Sequence, residues 1–318
     1  MKKKLLIIIL LFLVFCDINA QQEKGITGFD SWLNNWTEFK PNKVENNEVS
    51  QILTGNITVN TKLSKKNVYL LQGNVYVVNN AVLTIEPGTV IIGDYDSKAS
   101  LVITKGASII AEGLETDPIV FTSNREVRKA GDWGGIIILG DAPINKFGNT
   151  SSVNFATDPI LSSYGGANTN NNSGILKFVR IEFAGAKVKG SDNFNALLLA
   201  GVGSNTVFEN VMVSYSAGDS FEILGGAVNL NKMISFKSSN DDYKFNYGTQ
   251  CKIDNSLAIR ASYLTNSSGS RCMNVLSYNK KEEVDFTKSH TMVTARNLTL
   301  VNNSENVKID IESGLIKE

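Results

Sequence analysis

The stretch from Val68 to Ala111 carries one pattern three times. It reads Val68-x-Leu70-x-x-Gly73-x-Val75-x-Val77, then Leu83-x-Ile85-x-x-Gly88-x-Val90-x-Ile92, then Leu101-x-Ile103-x-x-Gly106-x-Ser108-x-Ile110, with successive copies 15 and 18 residues apart. Each copy is two short strands joined at a glycine. Alternation of apolar and polar residues marks a half-buried strand, and glycine lets the backbone turn where a Cβ would obstruct it. No copy can bury its apolar row alone, so the copies must stack. Units this short have no room for a βαβ crossover, which takes about a dozen residues or more. The chain is therefore read as all-β, a single solenoid of strands climbing one axis: a parallel β-helix.

The second half repeats as apolar-x-x-x-apolar-x-apolar, in Ile175/Val179/Ile181, Val207/Val211/Val213, Leu230/Ile234/Phe236 and Ile253/Leu257/Ile259, and continues at Leu298/Leu300. These triplets are expected to point into the coil. Asn210, Asn255 and Asn297 sit at equivalent turns, where asparagines can hydrogen-bond along a stack. Between the halves, residues 140–174 break the rhythm with Pro143, Pro159, Tyr164-Gly165-Gly166 and the polar run Asn168 to Ser173. Loops of such length are uncommon and are usually functional or disordered, so this segment is read as an excursion from one corner. Residues 21–53 form an N-terminal cap and linker, with Phe29, Trp32, Leu33, Trp36 and Phe39 interrupting a polar stretch. The expected role is an aromatic lid over the open lower end of the coil, whose strand edge needs cover; a sugar-stacking platform is the other reading. The coil itself is placed at residues 54–301 and a C-terminal tail at 302–318.

Residues 1–20 read as a secretory signal peptide, with Lys2 to Lys4, an apolar run from Leu5 to Phe15, and small Ala20 before a mature Gln21. The run falls well short of the ~20 residues of a membrane span. Lipidation at Cys16 is an alternative, set against Phe15 where a small residue belongs. The mature chain has no transmembrane candidate, so the expected location is the periplasm, the outer surface or the medium. Lys plus Arg is 31 and Asp plus Glu is 31, and this balance offers nothing to nucleic acid or anionic lipid. His290 is the single histidine and has no partner at metal-ligand spacing.

The candidate site is acidic. Asp219-Ser220-Phe221-Glu222 precedes one coil and Asp241-Asp242-Tyr243-Lys244 the next. Placing Phe221 under Tyr243 puts Asp219 under Asp241 and Glu222 under Lys244, with neighbours ~4.8 Å apart. Carboxylates that close repel unless a cation or hydrogen bonds intervene, and Ca2+, a hard ion that takes oxygen ligands, would suit Asp219, Asp241 and Asp242. The plainer reading is a turn in which Asp and Ser cap the backbone and Glu222 pairs with Lys244. Ligand contacts are assigned to Asp219, Glu222, Asp242, Lys244 and Arg260.

Thr84-Ile85-Glu86-Pro87-Gly88-Thr89-Val90, Gly131-Asp132-Trp133-Gly134-Gly135, Lys177-Phe178-Val179-Arg180-Ile181-Glu182-Phe183, Gly201-Val202-Gly203 and Val213-Ser214-Tyr215-Ser216 occur in that order. With these motifs the chain resembles secreted or surface right-handed parallel β-helix proteins of Bacteroidota, of pectate-lyase-like fold, over roughly Asn35 to Asn302. Where many such proteins carry an Asp-rich run, this chain has Asn240-Asp241-Asp242-Tyr243-Lys244-Phe245, and it ends at Glu318 without the C-terminal sorting domain many of them carry. The resemblance implies fold rather than activity. The leading expectation is a non-catalytic envelope or secreted protein that binds glycan or another surface partner along one face. The alternative is a polysaccharide lyase, with calcium on Asp219, Asp241 and Asp242 and Lys244 or Arg260 as base, or a glycoside hydrolase using Asp219 and Asp242.

Cys251 and Cys272 lie 21 residues apart, close to one coil. Residues in register on adjacent coils fall within the ~4.4–6.8 Å Cα separation a disulfide tolerates. Proteins of the resembling group tend to have glycine at both positions, which suits a paired replacement. The spacing therefore predicts a disulfide, with two separate buried thiols as the other reading.

Overall fold

The computed structural model describes residues 31–155, 157–190, 193–260, 270–302, 309–311 and 314–317. Residues 1–20, read above as a signal peptide, lie outside these residues, as do Cys16 and Phe29. The chain winds as a right-handed parallel β-helix with three strands to each coil. One wall stacks Thr61–Leu63, Val82–Ile85 and Ser108–Glu112, and rises to Ala227–Asn231, Gln250–Asp254 and Met292–Arg296. A second stacks Val90–Gly93 under Ile119–Ser123, and higher up Ile234–Phe236, Leu257–Arg260 and Thr299–Asn302. A third stacks Ser100–Ile103, Gly135–Leu139, Leu197–Ala200, Phe221–Leu224, Tyr243–Asn246 and Met273–Val275.

The three opening copies do not stack one on another. Val68 to Leu71, from copy one, lies beside Val90–Gly93, the second strand of copy two. Val75 to Val77 lies beside Leu101 to Ile103, the first strand of copy three. Each copy spans two walls, and the next begins two walls further on. Every wall obeys the same inward-outward alternation, so the pattern repeats faster than the coil does.

The triplet reading of the second half needs a similar correction. At the corner between the first and second walls one residue per coil adopts a left-handed conformation: Phe178 (φ 47°), Asn210 (53°), Lys232 (55°), Asn255 (49°) and Asn297 (51°). This residue breaks the alternation, because the chain turns through it without presenting a side chain to either face in sequence. Inward residues then fall two before it, one after it and three after it. Leu176/Val179/Ile181 and Phe208/Val211/Val213 meet that rule, and Leu230, Met233, Ile253 and Ala258 follow it into the central core. Val207 is left exposed, while Ile234, Phe236 and Leu257 turn outward on the second wall. The expected asparagine ladder exists but runs from Asn297 to Asn255 to Asn231 (3.1 and 3.2 Å) and ends on Glu209, not on Asn210.

That outward apolar strip explains the aromatic cap. Trp36, fully buried, packs with Met212, Ile234, Phe236 and Leu257, edge-on to Phe178 at 5.9 Å, and Phe39 meets Phe236 at 5.0 Å. Arg128 Nη1 ties the segment down by donating to the carbonyls of Pro41 and Val44 at 3.0 and 2.8 Å. The cap thus covers the flank of the coil rather than its lower end. The coil is also longer than expected. It starts with Gln51–Ile57, and Ile309–Ile311 and Leu315–Lys317 add parallel strands beyond Val301.

The excursion at 140–174 has a comparable cause. The outer face of the third wall is apolar in its lower coils, at Tyr76, Val102, Ile137, Leu139, Leu198 and Ala200, and Ile144, Val153, Phe155, Leu161 and Tyr164 of the excursion cover it. A small antiparallel pair, Ser151–Ser152 with Ser163–Tyr164, stiffens this cover.

The two cysteines are free and buried, which overturns the expected disulfide. Cys251 belongs to the first wall, between Val228 and Val293 in register, and points into the core. Cys272 precedes the third-wall strand Met273–Val275. The coil above Gln250 returns to the first wall at Met292, so 21 residues is about half of this long coil and carries the chain to a different wall.

Candidate functional site

The third wall changes character where the excursion ends. Its outward residues run Ile137, Leu198, Glu222, Lys244 in register, so an apolar row becomes an ionic one within two coils. Here a cleft of ≈ 570 Å³ opens between the wall, the excursion and the 279–283 segment. Its floor is an ion triad. Lys244 Nζ stands 2.8 Å from Glu222 Oε1 and 3.4 Å from Asp219 Oδ2. Asn195 Nδ2 donates to Glu222 Oε2 at 2.6 Å, and Asn240 Nδ2 donates to Asp219 Oδ1.

The charges are tuned unequally. Burial pushes the Asp219 carboxyl up to about 7, helped by the nearby negative charges of Glu222 and Asp241 and opposed by the Lys244 ammonium. Lys244 is pushed above its ordinary value, chiefly by Glu222 and against its own burial. Around the triad the cleft presents five asparagines, Asn154, Asn193, Asn195, Asn240 and Asn279, together with Phe155, Tyr164 and Tyr247. Lys146 Nζ lies 4.2 Å from the centre of the Tyr247 ring and 3.0 Å from Glu283 Oε2.

The sequence-derived alignment of Phe221 with Tyr243 holds, as does that of Glu222 with Lys244. The structure brings Asp219, Glu222 and Lys244 together in the cleft but separates Asp242 and Arg260 from it. Those two meet inside the coil: Arg260 Nη1 lies 2.7 Å from Asp242 Oδ2, and Asp242 Oδ1 accepts from Ser235, which in turn bonds Ser220. Burial pushes Asp242 up to about 6 despite the guanidinium. Arg260 lies inward because Ala258, two residues earlier, is a core residue. Asp219, Asp241 and Asp242 do not converge either. Asp241 accepts from the Arg271 backbone at 2.7 Å and from Asn274 at 2.7 Å, while the other two face their own cations. Among the described residues no group of three His, Cys, Asp or Glu side chains is arranged to hold a metal.

Sequence reasoning missed Asn195, Asn240, Tyr164 and Tyr247. For Asn195 a signal existed. It stands two residues before Leu197, as Asp219 stands two before Phe221, and those strands are in register. Tyr164 arrives from the excursion, whose path no repeat dictates, and Tyr247 follows the third-wall strand Tyr243–Asn246 in a left-handed conformation (φ 54°).

A family model for the pectate-lyase like beta helix domain matches residues 55–315. The chain belongs to this family. Comparison with curated proteins and with solved structures finds no match.

Proposed function

We propose that the protein is a non-catalytic β-helix protein, exported to the cell envelope or beyond, that binds a glycan in the cleft of the third wall. The observation that carries this reading is the amide-rich lining over an ion triad whose charges are already satisfied by one another. Amide side chains and aromatic faces suit hydroxyl-bearing rings, and pockets of this size hold small ligands. Glu222 and Asp219 are engaged by Lys244 and by asparagine donors, which favours holding a ligand over removing a proton from it. A glycan array should show binding by the full chain, and Lys244→Ala should abolish it while the fold persists. Absence of binding together with turnover of a polysaccharide would overturn the reading.

One observation favours a second reading, a glycoside hydrolase. Asp219, pushed up to about 7 by burial and lying beside Glu222 and Lys244, is the kind of carboxyl that serves as a general acid. Reducing-end release across a polysaccharide panel, lost in both Asp219→Asn and Glu222→Gln, is the result that would select it.

A further inference from the structure

With the aromatic cap on the flank, the lower end of the coil is left open. The lowest strand, Gln51–Ile57, pairs with Val68–Val77 above it and, among the described residues, with no strand below. Thr61–Leu63 likewise pairs only upward, with Val82–Ile85. An open strand edge invites another strand, and monomeric proteins blunt such edges with charge, proline or a covering element. The run from Val49 to Thr61 contains no charged residue and no proline. Lys62 and Lys65, which follow it, are held by Glu86 and Asp117 of the same chain at 2.8 and 3.4 Å. Val49, Ile52 and Val59 are 40%, 59% and 67% exposed.

This edge is complementary to itself. The Ser50 backbone N–H donates upward to the Val68 carbonyl at 2.9 Å. Backbone groups point to alternate sides along a strand, so those of Ile52 also point up. The N–H and C=O of Gln51 and of Leu53 then point down, at the open edge. Leu53 packs against the core in register with Leu71, which turns Ile52 outward. An identical antiparallel strand, with Ile52 opposite Ile52, satisfies all of these open groups, because Gln51 of each copy exchanges hydrogen bonds with Leu53 of the other. The same register sets inward residues beside inward ones. It also covers Ile52 with itself in a pair that is not hydrogen-bonded, the closer of the two antiparallel spacings at ~4.5 Å between Cα atoms. A slip of one residue would set inward positions against outward ones. Centring on Leu53 instead would call on Gly55, whose left-handed conformation (φ 66°) has already ended the straight segment.

We infer that the lower edge of the coil is an interface with a second copy of this chain, a two-fold dimer in which the Gln51 to Thr54 strands join antiparallel and continue the second wall from one coil into the other. Such a contact is isologous, the same patch on both subunits. An uncharged edge gives an acidic or basic partner nothing to pair with, and it lets two copies meet without bringing like charges together. The apolar residues of the edge gain cover, and the backbone groups of Gln51 and Leu53 gain partners. The cleft lies several coils higher on another wall, so the inference does not rest on the glycan reading.

The test is sedimentation velocity of the full chain over a concentration series, where a monomer–dimer equilibrium is expected. Ile52→Lys, a change at an exposed position, sets two ammonium groups face to face and should weaken the dimer at least tenfold while circular dichroism and melting stay unchanged. Ile52→Cys should trap the dimer, since a ~4.5 Å pair falls within the ~4.4–6.8 Å Cα separation a disulfide tolerates. Mild oxidant should then give a covalent dimer that reductant releases. The parent chain, whose Cys251 and Cys272 are buried, should give none through them. Val127→Cys, at a position 67% exposed but away from the edge, should cross-link at least tenfold more slowly. A monomer at every concentration, as when another segment of the chain occupies the edge, would overturn the inference. So would open-ended assemblies larger than a dimer, a dimer indifferent to Ile52→Lys, or equal cross-linking of the two cysteine variants.

Discussion

Asp219 Oδ1 accepts the backbone N–H of Asp241, one coil above, at 3.0 Å. The relation repeats up the same corner, where Asn195 Oδ1 accepts from the Asp219 backbone at 2.8 Å and Asp241 Oδ1 from that of Arg271 at 2.7 Å. The positions stand two residues before Leu197, Phe221, Tyr243 and Met273, which share a register. A short side chain with an acceptor oxygen satisfies a buried backbone donor here. The corner thus selects Asn or Asp for reach, and a carboxylate's charge is an addition to that structural duty.

Asp219→Ala should therefore cost more than Asp219→Asn. Alanine strands the Asp241 N–H without its partner, a loss of ~1–3 kcal/mol, whereas asparagine keeps the acceptor and forfeits the charge. Urea unfolding of the two variants at one pH measures the difference. Equal midpoints would mean that the corner bond contributes nothing.

Stability should fall as pH rises from about 4 to about 7. Burial holds Asp219 up to about 7 and Asp242 up to about 6. Over that interval the native state keeps protons that the unfolded chain has released, so each step up in pH favours unfolding. The contribution is complete below the unfolded carboxylate value and gone above the folded one. Glu86, held down to about 2 chiefly by its hydrogen bond to Lys62, works the opposite way, but below about pH 4.5. Denaturant unfolding at pH 5 and pH 8 should give the higher midpoint at pH 5, and Asp219→Asn should reduce the gap. A higher midpoint at pH 8 would contradict the assignment.

Arg260 and Asp242 form an ion pair inside the coil, 4% and 0% exposed at their side chains. Arg260→Met should destabilise by ~3–5 kcal/mol, because it strands a buried carboxylate. It also removes bonds to the carbonyls of Asn240 and Arg271. Without the guanidinium Asp242 moves further up, so the loss should be greater at pH 8 than at pH 5. Asp242→Leu combined with Arg260→Met should recover much of it. A double variant as unstable as the single one would show that the carbonyl contacts, not the charge pair, matter at this corner.

Fold class was legible because alternation and glycine spacing are properties of single strands, and a coil is strands repeated. Register was legible where the chain takes an uninterrupted step, as from Phe221 to Tyr243. It was lost wherever a left-handed residue such as Lys232 breaks the alternation, since the letters on either side look like ordinary strand. That slip assigned Ile234 and Phe236 to the interior, and with them went the reason for the aromatic cap on the flank. The site was legible in half. Asp219, Glu222 and Lys244 share one outer surface, while Asp242 and Arg260, equally polar and equally close in sequence, turn inward.

The cysteines give the last test. Cys251 lies among core residues of the first wall and Cys272 beside Asp242 at the third. Burial pushes the Cys272 thiol up to about 12 and Cys251 higher still. Thiolate is the reactive form, so both thiols should be slow toward maleimide in the native protein and fast in urea. The intact mass before reduction should be that of the dithiol. Because the sulfurs sit on different walls, oxidants should leave the native chain without an internal bridge. A mass two units (~2 Da) lower, restored by reductant, would require the two strands to approach in a way this register does not allow.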